Sequence, residues 1–265
     1  MDLQLNGKRA LVTGGSRGIG KAVARVLAEE GCAVAVAARG VEALEATATE
    51  LAGRTGGTVL PVVGDTGSAE SVEAMVAQAA GALGGVDILV NNAAKPLGQS
   101  APPKLADITA ELFWEDMNVK VLGYLRCAQA VAPLMARSGW GHIVNISGLG
   151  ARTTGSAIGS MRNVSVAALT KNLADELGPK GINVTVVHPG LTRTEATPAV
   201  IARVAEAQGI SEADAEARLG SNAIRRLVDA EEVAWVVAFL ASPRSAAVTG
   251  DAVVCGGGQP GPIYY

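Results

Sequence analysis

The sequence predicts an α/β fold, a single domain (1–265) built on a doubly wound parallel sheet of seven strands flanked by helices. Short, β-branched apolar runs alternate with longer helix-patterned stretches almost from end to end. The runs are nearly continuous in apolar residues, as strands buried on both faces must be. Parallel strands need helical crossovers, so this alternation selects the doubly wound arrangement. No Pro/Gly/Ser linker and no repeat divides the 265 residues, a length that one α/β domain fills.

The strands are predicted at "KRALVT" (8–13), "AVAVAA" (33–38), "TVLPVV" (58–63), "VDILVN" (86–91), "HIVNIS" (142–147), "INVTVV" (182–187) and "AVVC" (252–255). The first crossover, "GKAVARVLAEEG", is helix-patterned, with Ala22, Val26 and Ala28–Glu30 leading to a terminating Gly31, the residue type that closes helices in a left-handed turn. Asp229, with Glu232 three residues on, opens "EEVAWVVAFLA" as a capping box. The stretch 191–222 breaks the rhythm. It holds a short helix capped by Ser211 and follows a strand's carboxyl end, where a substrate lid belongs; a solvated insertion is the other reading.

Hydrophobic residues make up 49% and charged residues 18%, which supports a large core and excludes disorder. Aromatics are only 3%, so that core is built from Ala, Val, Leu and Ile. The net charge is −3 and the basic residues are scattered, which argues against nucleic acid or an anionic membrane as partner. Cys32, Cys127 and Cys255 are odd in number and far apart, the pattern of reduced core packing rather than of metal or disulfide chemistry. The amino terminus lacks a secretion signal's apolar run, and no window is apolar enough for a membrane helix. The expectation is a soluble, cytoplasmic protein that acts on a small molecule.

"LVTGGSRGIGKAVA" follows the first strand and opens the first helix. Gly14, Gly18 and Gly20 let the backbone turn tightly and approach a pyrophosphate held at the helix's positive end, with Ser16, Arg17 and Ile19 in the same turn. A carboxylate closing the second strand would select NAD by bonding the ribose hydroxyls. Here Ala38 is followed by Arg39, and Arg17 lies inside the turn; two guanidinium groups suit a 2′-phosphate. The predicted cofactor is NADP(H).

These features, with Asp65 in "VVGDTGS", "NNAA" (91–94), Asn118 in "WEDMNVK", "GHIVNISG" (141–148), "HPGLTRT" (188–194) and "VTGDAVVCGGG" (248–258), resemble the short-chain dehydrogenase/reductase family over essentially the whole chain. The resemblance implies a Rossmann-type sheet and a homodimer or homotetramer built through the helices that start near Thr109 and Ser160. It also implies that Asp65 and the adjacent Thr66 contact the adenine side, that Asn91 and Ala93 flank the cofactor, and that Pro189, Gly190, Thr192 and Thr194 hold the nicotinamide end.

The family's reaction uses a tyrosine as proton donor, a lysine four residues later and a serine thirteen residues before the tyrosine. Counted without gaps, those slots fall on Met161, Ser165 and Gly148. The three tyrosines are Tyr124, Tyr264 and Tyr265, and no lysine lies between Lys120 and Lys171. Methionine has no transferable proton, and a missing general acid removes roughly a hundred- to ten-thousand-fold in rate. Ser147 and Asn118 are the remaining catalytic candidates, with strand termination and a structural role as their alternatives. Arg162 reads as a surface or interface arginine, His188 as packing or a proton carrier. Arg152 and Arg193 stand near the site mouth, and the tail tyrosines are placed to bury at an interface or to reach a neighbouring subunit's site.

Three functions follow. The first is an atypical oxidoreductase that passes hydride to an activated C=C or C=N bond. The second is an inactive NADP(H)-binding sensor or partner subunit. The third is a non-redox cyclase or lyase on the same fold.

Overall fold

A computed structural model describes residues 1–94 and 102–261. Seven strands form one parallel sheet: β1 (Arg9–Thr13), β2 (Ala33–Ala38), β3 (Val59–Val63), β4 (Ile88–Asn91), β5 (Gly141–Ile146), β6 (Ile182–Pro189) and β9 (Ala252–Cys255). Their order is β3-β2-β1-β4-β5-β6-β9, while β7 (Thr192–Arg193) and β8 (Val228–Asp229) pair separately. The direction of winding reverses between β1 and β4, which opens a crevice at the carboxyl ends of those strands.

The crossovers are α1 (Gly18–Glu29), α2 (Val41–Thr55), α3 (Ala69–Leu83), α4 (Ala110–Met117), α5 (Gly123–Ser138), α6 (Ala157–Leu177) and α9 (Ala230–Leu240). Between β7 and β8 lie α7 (Thr197–Gln208) and α8 (Glu212–Leu219). A π-helical turn, Asn118–Leu122, joins α4 to α5. No helix among the described residues is long and apolar enough to cross a membrane.

Strand alternation splits the core into two layers. Ala10, Val12, Val34 and Val36 face α1 and α9 through Val23, Leu27, Val233 and Val237. Leu11, Ala35 and Ala37 face α3 and α5 through Val72, Met75, Cys127 and Val131. Small strand residues let helices seat closely on both faces, so a core poor in aromatics still packs.

The predicted ends hold. Gly31 closes the first crossover at φ +86°, Ser211 caps α8 by accepting from the Asp214 amide, and Asp229 with Glu232 forms the capping box on α9. β4 starts two residues later than the sequence suggests. Asp87 is occupied there, its carboxylate taking the backbone and guanidinium N–H groups of Arg9.

Arg162 overturns the expectation of a surface or interface arginine. Its side chain is 1% exposed and pairs with Asp116 of α4 at 2.5 Å. The face of α6 that carries it packs against α4, so the guanidinium lies between the two helices.

Candidate functional site

The first half of the crevice is the turn between β1 and α1. Gly14 and Gly18 have φ of +65° and +56°, the left-handed region where a side chain is strained. A Cβ on Gly20 would land on the Gly14 carbonyl and the Asn92 side chain, so the turn closes only with glycine there. Thr13 pins the end of β1 to the end of β4: its hydroxyl donates to the Val90 carbonyl and accepts from the Asn92 and Ala93 amides. Asn92 in turn donates to the carbonyls of Thr13 and Gly14.

The free amides at the start of α1 already receive a negative oxygen. No side chain of the turn itself caps α1, and the Gly18 amide donates to the Glu195 carboxylate at 3.0 Å. The Thr194 methyl group lies against Gly18, so 194–195 folds back over the turn. An anionic group is therefore accommodated at this helix end. Ser16 and Ile19 are half-buried, while Arg17 and Arg39 are both exposed beside the turn.

Further along the crevice, Asp65 accepts from the Gly67 amide and Thr66 donates to the Val119 carbonyl. Asn91 donates to Asn145, and its own oxygen has no partner among the described residues. Pro189 ends β6, Gly190 donates its amide to the Cys255 carbonyl, and Thr192 donates back to the Gly190 carbonyl. Thr194 donates its amide to the Thr197 hydroxyl.

Met161 and Ser165 turn away from the end of β5. Met161 is 47% exposed, and the Ser165 hydroxyl donates to the Met161 carbonyl one turn back. Positions two apart on a helix differ by about 200°, so if 161 and 165 point outward, 159 and 163 point inward. Gly159 and Asn163 are both buried. The Asn163 carbonyl accepts from the Ser147 hydroxyl at 3.0 Å, and its side chain lies against Gly148 and Gly150. The positions four apart that face β5 are thus Gly159 and Asn163. The intervening segment, 148–156, holds a 3₁₀ turn at Leu149–Ala151 between non-helical stretches, and its length is not tied to the register of α6.

Lys120 is the residue that sequence reasoning passed over. It reaches from the π-helical turn to the same place, donating to the Ser147 carbonyl at 2.9 Å and to the Asn163 side-chain oxygen at 3.1 Å. Burial pushes its pKa down to about 7, the neighbouring Arg162 charge acts in the same direction, and Asp116 opposes both. A lysine inside the apolar run "VKVL" of a helix was the available signal. Asn118 faces the other way, donating to the Gly67 carbonyl and accepting from Arg126 at 2.9 Å.

His188 is 1% exposed, and its Nδ1 has no partner among the described residues. Burial, then the charges of Arg152 and Lys120, push its pKa down to about 4, so it is neutral near pH 7. Arg193 is occupied by Glu216 and Asp229. Tyr124 is fully buried with its hydroxyl on the Ile146 carbonyl, and burial raises its pKa out of the working range. Tyr264 and Tyr265 lie outside the described residues.

A glycine turn feeding a helix end, at the switch point of a doubly wound sheet, defines a dinucleotide-binding protein. The family model described as enoyl-(acyl carrier protein) reductase matches residues 14–259. The dehydrogenase/reductase SDR family member 4 of Sus scrofa is 36% identical over 96% of this chain and 88% of its own. The L-sorbose reductase of Gluconobacter frateurii, solved with NADPH and L-sorbose, superposes with a TM-score of 0.92 at 28% identity, covering 99% of this chain and 100% of its own. An actinorhodin polyketide ketoreductase solved with NADPH gives 0.87 at 34% identity over 94% and 96%. The chain belongs to the short-chain dehydrogenase/reductase family.

Proposed function

We propose that this protein is an NADP(H)-dependent reductase that transfers hydride to an activated C=C or C=N bond without the family's tyrosine. One observation carries the reading: the inward positions opposite Ser147 are Gly159 and Asn163, and the ionisable group beside them is Lys120 rather than a phenol.

The residues present fit the cofactor. The turn from Gly14 to Gly20, already receiving a carboxylate at Gly18, suits a diphosphate. Arg17 and Arg39, exposed and with no carboxylate closing β2, suit a 2′-phosphate. Asp65 and Thr66 would border the adenine, Asn91 and Ala93 the middle, and Pro189, Gly190, Thr192 and Thr194 the nicotinamide end. Reduced nicotinamide, when bound, supplies the hydride.

A plain ketone needs a proton on oxygen as hydride arrives, and the Ser147 hydroxyl is spent on the Asn163 carbonyl. An activated acceptor removes that need. Hydride adds to the β-carbon of an enone, the π electrons move onto the carbonyl oxygen, and the enolate takes its proton from solvent afterwards. A protonated imine brings its proton with it. Asn163, Ser147 and Lys120 then serve as fixed dipoles and charge around the acceptor.

The helices α7 and α8 pack together through Ile201, Ala205 and Ala215 and follow the carboxyl end of β6; we assign 191–222 as the lid. Leu112 and Trp114 on α4 and Met161 and Val164 on α6 are exposed apolar residues on adjoining helices, which supports self-association through these two helices.

The test is calorimetric titration with NADPH and NADH, followed by NADPH oxidation across enones, enoyl thioesters, imines and plain ketones. Tighter binding of NADPH, with turnover of activated acceptors only, is expected. Rapid turnover of a plain ketone refutes the acceptor class, and failure to bind either nucleotide refutes the whole reading.

A further inference from the structure

We propose that Lys120 is the ionising group of this site: an ammonium carried on the π-helical turn, tying the end of β5 to α6, that favours the neutral reduced nicotinamide over the positively charged oxidised one. The proposal rests on the NADP(H) reading above.

The placement comes from the topology. The glycine turn follows β1, the Pro189–Gly190 segment follows β6, and β4 and β5 lie between them. A dinucleotide laid across the carboxyl ends from the first to the second passes β5 on its nicotinamide half. Ser147 is the residue that follows β5, and the Lys120 amine is bonded to it.

The amine has three protons. Two go to the Ser147 carbonyl and the Asn163 side chain, both neutral acceptors, and no carboxylate among the described residues bonds it. The charges that act on it are Arg162 from α6 and Asp116 from α4; it acts in turn on His188 from β6, with Arg152, and the Tyr124 hydroxyl of α5 is bonded to the Ile146 carbonyl next to Ser147. One carboxylate thus stands among several cations. Burying a charged amine there without a bonded carboxylate is costly, and a neutral donor would satisfy the Ser147 carbonyl and the Asn163 oxygen without that cost. A role that needs the charge accounts for it.

Lys120 acts through electrostatics and through Asn163 and Ser147, so it is a positioning residue. Its physical signature is a ratio. Loss of packing weakens both redox forms alike, whereas loss of a nearby positive charge tightens NADP⁺ relative to NADPH. With the amine titrating near 7, the charged fraction falls about tenfold between pH 6 and pH 8. Two titratable neighbours are silent in that window: His188 titrates at about 4, and burial pushes the Tyr124 phenol far up. The 2′-phosphate titrates in both redox forms and cancels.

The experiment measures the dissociation constants of NADP⁺ and NADPH from pH 6 to pH 8 for the wild type, Lys120→Met and Lys120→Arg. The wild-type ratio Kd(NADP⁺)/Kd(NADPH) is expected to fall about fivefold or more across this range. In Lys120→Met it should be low and flat, and in Lys120→Arg high and flat. If Lys120→Met does not fold, the wild-type pH series alone still decides. A wild type that binds both forms with a ratio independent of pH overturns the role of Lys120 and leaves the cofactor reading standing. A wild type that binds neither overturns both.

Discussion

Replacing Lys120 by methionine gives a test that needs no ligand. The fold displaces this lysine from 10.5 to about 7, chiefly by burial. At about 1.4 kcal/mol for each pH unit of displacement, the folded state disfavours the charged form by roughly 5 kcal/mol, an upper bound. The sign follows from linkage. Between pH 7 and 10.5 the unfolded chain holds the lysine proton and the folded chain does not, so raising pH stabilises the fold; below 7 both are protonated and the effect is flat. Methionine cannot titrate, so subtracting its stability from that of the wild type cancels every other group. Urea unfolding at pH 6.5, 7.5, 8.5 and 9.5 should show a wild-type stability, taken relative to Lys120→Met, that is nearly level at first. It should then rise by about 1.4 kcal/mol per pH unit, a gain of roughly 3 kcal/mol over its low-pH level by pH 9.5. A difference independent of pH refutes the reasoning, because it means that the amine titrates outside this window.

Five further substitutions probe other parts of the argument. Asp116→Ala leaves the Arg162 charge buried without its carboxylate and should cost about 3–5 kcal/mol in urea unfolding, whereas Arg162→Met should be close to neutral. Gly20→Ala drives a methyl group into the Gly14 carbonyl and should abolish NADPH binding measured by calorimetry. Glu195→Gln removes the negative charge now bonded to the Gly18 amide and should tighten NADPH binding several-fold, by an amount that shrinks with added salt. Met161→Glu places a charge on the exposed apolar face of α4 and α6 and should lower the mass seen in sedimentation while leaving NADPH binding intact.

Most of the fold was legible because it rests on short-range rules. Strand runs such as 33–38 and 252–255 are bounded by residues that end strands, and Gly31, Ser211 and Asp229 act within one turn of themselves. The glycine turn was legible for the same reason, since its geometry is set by its own backbone. What failed was counting across a loop. The path of 148–156 is not readable from its sequence, so a distance of thirteen residues does not say which face of α6 meets β5, and a shift of two reverses the face. Arg162 was misread for a related reason: whether a side chain is buried depends on the helix packed against it, and α4 is more than forty residues away in sequence.

The same logic explains why Lys120, Asn163 and Gly148 belong together. A Cβ on Gly148 or Gly150 would crowd the Asn163 side-chain amide nitrogen at 3.2 or 3.0 Å, so these glycines leave its side chain room at the end of β5. Its oxygen then needs a donor, and the donor comes from a different element, the π-helical turn. A π-helical turn winds more loosely than the α-helix on either side, so residues after it are rotated relative to those before. Here Asn118 is turned toward Gly67 and Arg126, and Lys120, two positions on, toward Ser147. Straightening that turn would move the amine off the Ser147 carbonyl and strand the Asn163 oxygen. Lys120, Asn163 and the irregular turn are therefore one unit, in which losing the lysine leaves the buried Asn163 oxygen without its partner.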